Sequence, residues 1–242
     1  MTPWVVLGVF GVVAVAAAAQ AVSGFGFALI ATPVIAVLVG PKEAVVGLTM
    51  VGLVLVAMLS LRSRGHVERS VVATVTVAAI LGMPIGLLVL ERADDRTLTA
   101  VIATVVIVFA VLLWRGLRLP SNRGTDAIAG FVAGTLSTST GTSGPPIAIA
   151  LSSKQMSPAA FRGTISAIFL VQGSVALVAF AIGGEVRAGA LWVALAGLPG
   201  LLAGSCVGEY RFRRLDAARF RTIVFGMLLI SGIVSLAGAL TS

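Results

Sequence analysis

Charge is what this sequence has least of. Lys, Arg, Asp and Glu make up 11% of its 242 residues, against roughly 25% in a soluble domain. A further 58% are hydrophobic, and the mean hydropathy is +1.10. A water-soluble fold is excluded. The one cysteine, Cys206, lies in an apolar run, so neither a disulfide framework nor a cysteine metal site is available. The one histidine, His66, sits in a basic loop and is read as solvated. Carboxylates are missing from the middle of every apolar run: Glu43, Asp126, Glu185 and Glu209 all fall near ends. The buried carboxylate relay of a proton pump is therefore not visible. A Gly-x-x-x-x-Gly-Lys-Ser/Thr loop is also lacking, so ATP is not the evident energy source. With no nucleophile, base and orienter to group together, the chain is expected not to be an enzyme and to need no cofactor or metal.

What is present is a series of uncharged apolar runs, each of roughly 18 to 20 residues, the length a helix needs to cross a bilayer. The formal charge of +8 and pI near 11.4 would suggest nucleic acid in a soluble protein. Here the basic residues sit in short loops between apolar runs, where the positive-inside bias places them whatever the function, so no nucleic-acid partner is expected. The first apolar stretch, from Trp4, has no basic region before it and no clean cleavage site after it. It is expected to belong to the fold rather than to a removable signal.

Six stretches read as plain spans, over residues 44–61, 71–90, 98–117, 165–182, 188–207 and 223–240. Two others, 4–39 and 127–151, are interrupted by helix-breaking residues, Ser23-Gly24-Phe25-Gly26-Phe27 in the first and Ser137 to Pro146 in the second. The pattern repeats. Gly24 and Pro41 are spaced as Gly141 and Pro158 are, and Leu81-Gly82-Met83-Pro84 is echoed by Ala196-Gly197-Leu198-Pro199. The expected fold is an all-α integral membrane protein of two repeats, residues 1–120 and 121–242. Each is a broken, re-entrant-type helical hairpin followed by three transmembrane helices.

Charge chooses the orientation. If all eight segments crossed once, the 17 Lys and Arg would divide 7 to 10. If each broken segment enters and leaves on one side, only Lys42, Arg92, Arg96 and Arg187 oppose the other 13. The second arrangement obeys the positive-inside rule, with both termini outside the cell membrane. Three crossings and one hairpin per half is an odd number, so the two repeats are inverted, as in many secondary transporters.

A break inside hydrocarbon leaves peptide groups unpaired at several kcal/mol each unless protein, water or ligand satisfies them. In the first break Ser23 is placed to cap the arm beginning near Gly26, and the glycines permit close approach to a ligand. In the second, Thr142 or Ser143 is placed to cap, and Pro145 or Pro146 suits a first helical position. Each arm then aims unpaired N–H groups and about half a positive charge at the membrane interior, a site for an anion. The candidate binding residues are Ser23, Gly24, Phe25, Gly26, Phe27, Thr140, Gly141, Thr142, Ser143, Gly144 and Pro145. Arg162, near Pro158, is placed to pair with an oxyanion, or else snorkels to the cytoplasmic surface. Gln172 is either a pore-lining hydrogen-bond partner or glue between helices, and Gln20 shares that ambiguity. The plain alternative is that Gly, Ser and Thr only allow close helix packing.

These motifs give the chain a resemblance to the sulfite exporter TauE/SafE family, also called the toluene sulfonate uptake permease family, from about Ala19 to Gly238. Its carriers are Ser23 to Phe27 with Pro33, Gly141-Thr142-Ser143-Gly144-Pro145-Pro146, and Phe161-Arg162-Gly163-Thr164. The lone Gly26 between Phe25 and Phe27, and Gly144-Pro145-Pro146, depart from the family's commoner Gly-x-Gly-Gly-Gly form. The resemblance implies transport of sulfur-containing anions: sulfite, sulfoacetate or other organosulfonates. The expectation is a secondary transporter, working as an exporter, with a small anionic substrate and the lipid bilayer as partners. Gly-rich faces permit a homodimer without requiring one. The alternative is a carrier for a cation or neutral solute using the same breaks through their carbonyls.

Overall fold

The computed structural model describes residues 2–62, 67–117 and 119–211, so the span expected over 223–240 lies outside the described residues. All regular structure among them is α-helical. The first interrupted stretch forms α1 (Pro3–Ser23) and α2 (Phe27–Val39), followed by α3 (Pro41–Arg62), α4 (Arg69–Arg92) and α5 (Asp95–Trp114). The second forms α6 (Arg123–Ser139) and α7 (Gly144–Ser152), followed by α8 (Pro158–Ile182) and α9 (Ala188–Arg211). Most of the expected spans gain residues at their ends, because Lys42, Glu43, Arg69 and Arg92 continue their helices instead of terminating them. Both expected breaks are present, but their arms are unequal. α1 has 21 residues and α7 only 9. Among the described residues, six helices are long and apolar enough to cross a membrane: α1, α3, α4, α5, α8 and α9. Trp4, Leu81, Ile128, Ile182 and Leu195 are all more than half exposed, the outward apolar surface of a protein solvated by lipid.

Among the described residues, two helix pairs bring their backbones into direct contact. A Cβ on Gly200 would stand 2.4 Å from the Phe10 carbonyl oxygen, and one on Gly204 2.0 Å from that of Ala14, so α9 runs parallel to α1 with backbones touching. α4 and α6 do the same: a Cβ on Gly86 would stand 2.0 Å from the Thr135 carbonyl oxygen, and one on Gly134 2.0 Å from that of Ala79. Small residues spaced by four allow this approach in lipid, where packing, rather than the hydrophobic effect, holds helices together. Thr138 adds a hydrogen bond from its hydroxyl to the Met83 carbonyl at 2.7 Å.

The chain ends of these helices gather at two rims. At one, Lys42 Nζ donates to the Glu91 carbonyl at 3.1 Å, and the Glu91 carboxylate approaches Gly183. At the other, Glu68 N–H donates to Thr164 Oγ1 at 3.0 Å, Leu119 N–H to Ser153 Oγ at 3.1 Å, and Lys154 pairs with Asp126 at 2.9 Å. α5 starts from an exposed loop, where the Thr97 hydroxyl and amide both donate to Asp94 and hold its carboxyl below the ordinary range.

Candidate functional site

α1 stops because Gly24 and Gly26 both take left-handed angles, with φ of 84° and 106°, which a side chain would strain. α2 then returns alongside α1, so that a Cβ on Gly8 would lie 3.4 Å from Leu38 Cδ1. Ser23 does not cap α2. Its hydroxyl is held by the carbonyls of Ala19, at 2.9 Å, and Phe25, and it accepts from the Phe25 N–H at 3.3 Å. The cap comes from Gln20, whose Oε1 accepts from the Phe27 N–H at 3.1 Å. A serine so close to the turn completes the turn itself, whereas a glutamine one helical turn earlier has the reach to cross it. The amides of Ala28 and Leu29, in the first turn of α2, have no carbonyl within the helix to receive them.

The second break turns at Gly141, with φ of 71°. Neither expected cap forms: Ser143 occupies the N-cap position without a side-chain bond, and the Thr142 hydroxyl pairs with that of Thr140 at 2.7 Å. Thr140 also donates to the Leu136 carbonyl at 3.0 Å, and Thr138 and Ser139 donate to carbonyls in turn. These hydroxyls mostly serve the backbone. Pro145 and Pro146 carry no N–H, so the unpaired donors at the start of α7 reduce to Ser143 and Gly144.

The two breaks meet at one cavity of about 80 Å³. At roughly 10–15 Å³ for each water, this is room for several waters or one small ion. Gly26, Phe27, Ala28 and Leu29 line it from the first break; Ser137, Gly141, Thr142, Ser143 and Gly144 line it from the second. α3 closes it with Val45, Leu48, Thr49, Gly52, Leu53 and Val56, and α8 with Phe169 and Gly173. A Cβ on Gly144 would lie 3.5 Å from Phe25 Cβ and 3.6 Å from Phe169 Cζ. Gln20 and Thr32 also line the cavity. Thr32 Oγ1 is fully buried, has no hydrogen-bond partner, and stands 3.5 Å from where a Gly141 Cβ would be.

Ser23, Gly24, Phe25, Thr140 and Pro145 shape the breaks behind this lining. Arg162 lies outside it, where its Nη2 donates to the Ala21 carbonyl at 2.6 Å and its Cγ approaches Gly24. A cation on the last carbonyls of α1 suits the negative end of that helix. Gln172 is 1% exposed, and neither of its amide atoms has a partner. α4 and α8 meet at both ends, where the Glu68 N–H donates to Thr164 and the Glu91 carboxylate approaches Gly183, and the Thr76 hydroxyl on α4 is likewise without a hydrogen-bond partner.

Sequence reasoning passed over Thr32. The signal was a hydroxyl directly before Pro33, inside an apolar helix that follows a break.

A family model described as Sulfite exporter TauE/SafE matches residues 9–235. No curated protein and no solved structure matches the chain significantly.

Proposed function

The chain belongs to the sulfite exporter TauE/SafE family, a family of membrane transporters and not of enzymes, and from that premise we propose that it exports sulfite or a small organosulfonate across the cell membrane. The anion sits in the cavity between the breaks, held by the amides of Ala28, Leu29, Ser143 and Gly144 and by the positive ends of α2 and α7. Gly26, Phe27, Gly141 and Thr142 form its walls. Phe25, Ser23, Gly24, Thr140, Pro145 and Arg162 keep the two breaks in shape. Gln172 hydrogen-bonds to substrate or water passing between α4 and α8. The observation that carries this reading is the cavity itself, since two breaks about 117 residues apart in sequence line one space.

The same reading makes each broken segment a re-entrant hairpin and the two halves inverted repeats. Three contacts support it: Leu38 beside Gly8 returns α2 toward the start of α1, and Lys154 on Asp126 and Ser153 on Leu119 return α7 to the start of α6. The exchange of partners also supports it, because the leading helix of each half packs against the Pro-bearing helix of the other, α1 on α9 and α6 on α4. The richer basic rim faces the cytoplasm, with both termini outside. With the cytoplasm negative, each negative charge that leaves gains about 2.3 kcal/mol per 100 mV, so export needs no coupled ion.

Reconstitution into liposomes tests the proposal. Outward-negative electrogenic flux of sulfite or methanesulfonate, lost when Gly144→Leu drives a side chain into Phe25 and Phe169, is the expected result. Transport of cations with no response to sulfonates would refute it.

A further inference from the structure

None of the described residues that line the cavity is charged. Arg162, whose side chain lies against the first break, donates to the Ala21 carbonyl and is not part of the lining. An anion here is balanced by two helix N-termini, each worth about half a positive charge, or about one charge in all. An independent observation marks the same space as a binding site for a polar guest. Thr49, Thr138, Ser139, Thr140 and Ser174 all return their hydroxyls to the carbonyl four residues earlier. Thr32 does not, although it is fully buried and lines the cavity. Directly after it, Pro33 lacks the N–H that the Leu29 carbonyl would accept in an unbroken helix, and Leu29 lines the cavity as well. The walls thus offer donors to the oxygens of an anion and acceptors to a proton carried on one of them.

We propose that the cavity selects singly charged oxyanions, hydrogensulfite and alkanesulfonates among them, and rejects doubly charged ones such as sulfate and the sulfite dianion. This rests on the anion-transport reading and narrows it. The cost of taking an ion out of water grows with the square of its charge, while its attraction to fixed partial charges grows only in proportion. A dianion therefore loses about four times as much hydration as a monoanion and gains about twice the attraction from the same two helix ends. A lysine or arginine in the wall would redress the balance, and the described lining has neither.

Calorimetric titration of the purified full chain with methanesulfonate, sulfate and sulfite over a pH series tests the proposal. Methanesulfonate stays singly charged throughout, so its affinity reports any titration of the protein itself. Expected are binding of methanesulfonate at every pH, sulfate at least about 100-fold weaker, and a sulfite affinity that falls about tenfold per pH unit above its second ionisation, near neutrality. Thr32→Val is expected to weaken hydrogensulfite about tenfold, the value of one lost hydrogen bond, while thermal stability is unchanged. Sulfate binding as tightly as methanesulfonate, or sulfite affinity indifferent to pH, overturns charge selection and leaves the anion site standing. Failure of all three to bind overturns the site and the selectivity together.

Discussion

Lys154 Nζ stands 2.9 Å from Asp126 Oδ2, and both side chains are nearly buried. Lys154, two residues beyond the end of α7, is thereby held against the first turn of α6. Removing one member of a buried pair leaves the other charge without a partner. Asp126→Asn or Lys154→Met is expected to destabilise the protein by about 3 kcal/mol, and the exchange Asp126→Lys with Lys154→Asp to restore much of it. Thermal unfolding of the three variants in detergent measures this. Additive losses in the exchanged variant would show that the two residues do not act as a pair.

The contact between α4 and α6 tolerates no side chain at Gly134, because the obstacle at 2.0 Å is the Ala79 backbone carbonyl and not a movable side-chain tip. Gly134→Ala must push the helices apart, at a cost of about 1–3 kcal/mol. Gly11, with nothing near its Cβ position, is the control: Gly11→Ala is expected to leave the unfolding temperature unchanged or to raise it by about 2–4 °C, the helix propensity gained.

Gln20 caps α2 and borders the cavity, so one substitution there distinguishes an anion from a cation. Gln20→Glu keeps the size and the acceptor to Phe27 while adding negative charge. For a bound anion, the concentration giving half-maximal flux should rise tenfold or more, about 1.4 kcal/mol, with folding retained. A cation carrier would respond in the opposite sense.

Arg162 on the Ala21 carbonyl predicts a positioning role for that residue. Arg162→Ala should lower thermal stability and maximal flux while the half-saturating anion concentration stays within about twofold; loss of a direct charged hydrogen bond, worth about 1.5–3 kcal/mol, would raise it about tenfold or more. Arg162→Lys should recover part of the stability, since the carbonyl still receives a donor.

The helices of the described residues and the two breaks between them were legible in the sequence because length, apolar content and Gly-Pro punctuation encode them directly. The side-chain assignments at the breaks were less so. A cap depends on which hydroxyl or amide reaches across the turn, and that is set by backbone angles at Gly24 and Gly26, so Ser23 looked like the cap that Gln20 provides. The row of hydroxyls from Ser137 to Thr140 suggested ligand donors, but three of them satisfy carbonyls on α6 or α4. Sequence spacing placed Arg162 near the breaks but could not show that its guanidinium reaches the Ala21 carbonyl at the end of α1. Thr32 was hidden among apolar neighbours, because nothing in its spacing tells a satisfied hydroxyl from an unsatisfied one.

The closeness of the two breaks is the point on which transport depends, and a pair of cysteines at Phe25 and Gly144 tests it. A Cβ at 144 stands 3.5 Å from that of Phe25, at the short end of the Cβ separations of disulfides. In a Cys206→Ser background, Phe25→Cys with Gly144→Cys should cross-link under mild oxidation, lose methanesulfonate flux, and regain it on reduction. Two cysteines that fail to join in folded protein, or a joined pair that transports at the unlinked rate, would contradict a substrate held between the breaks.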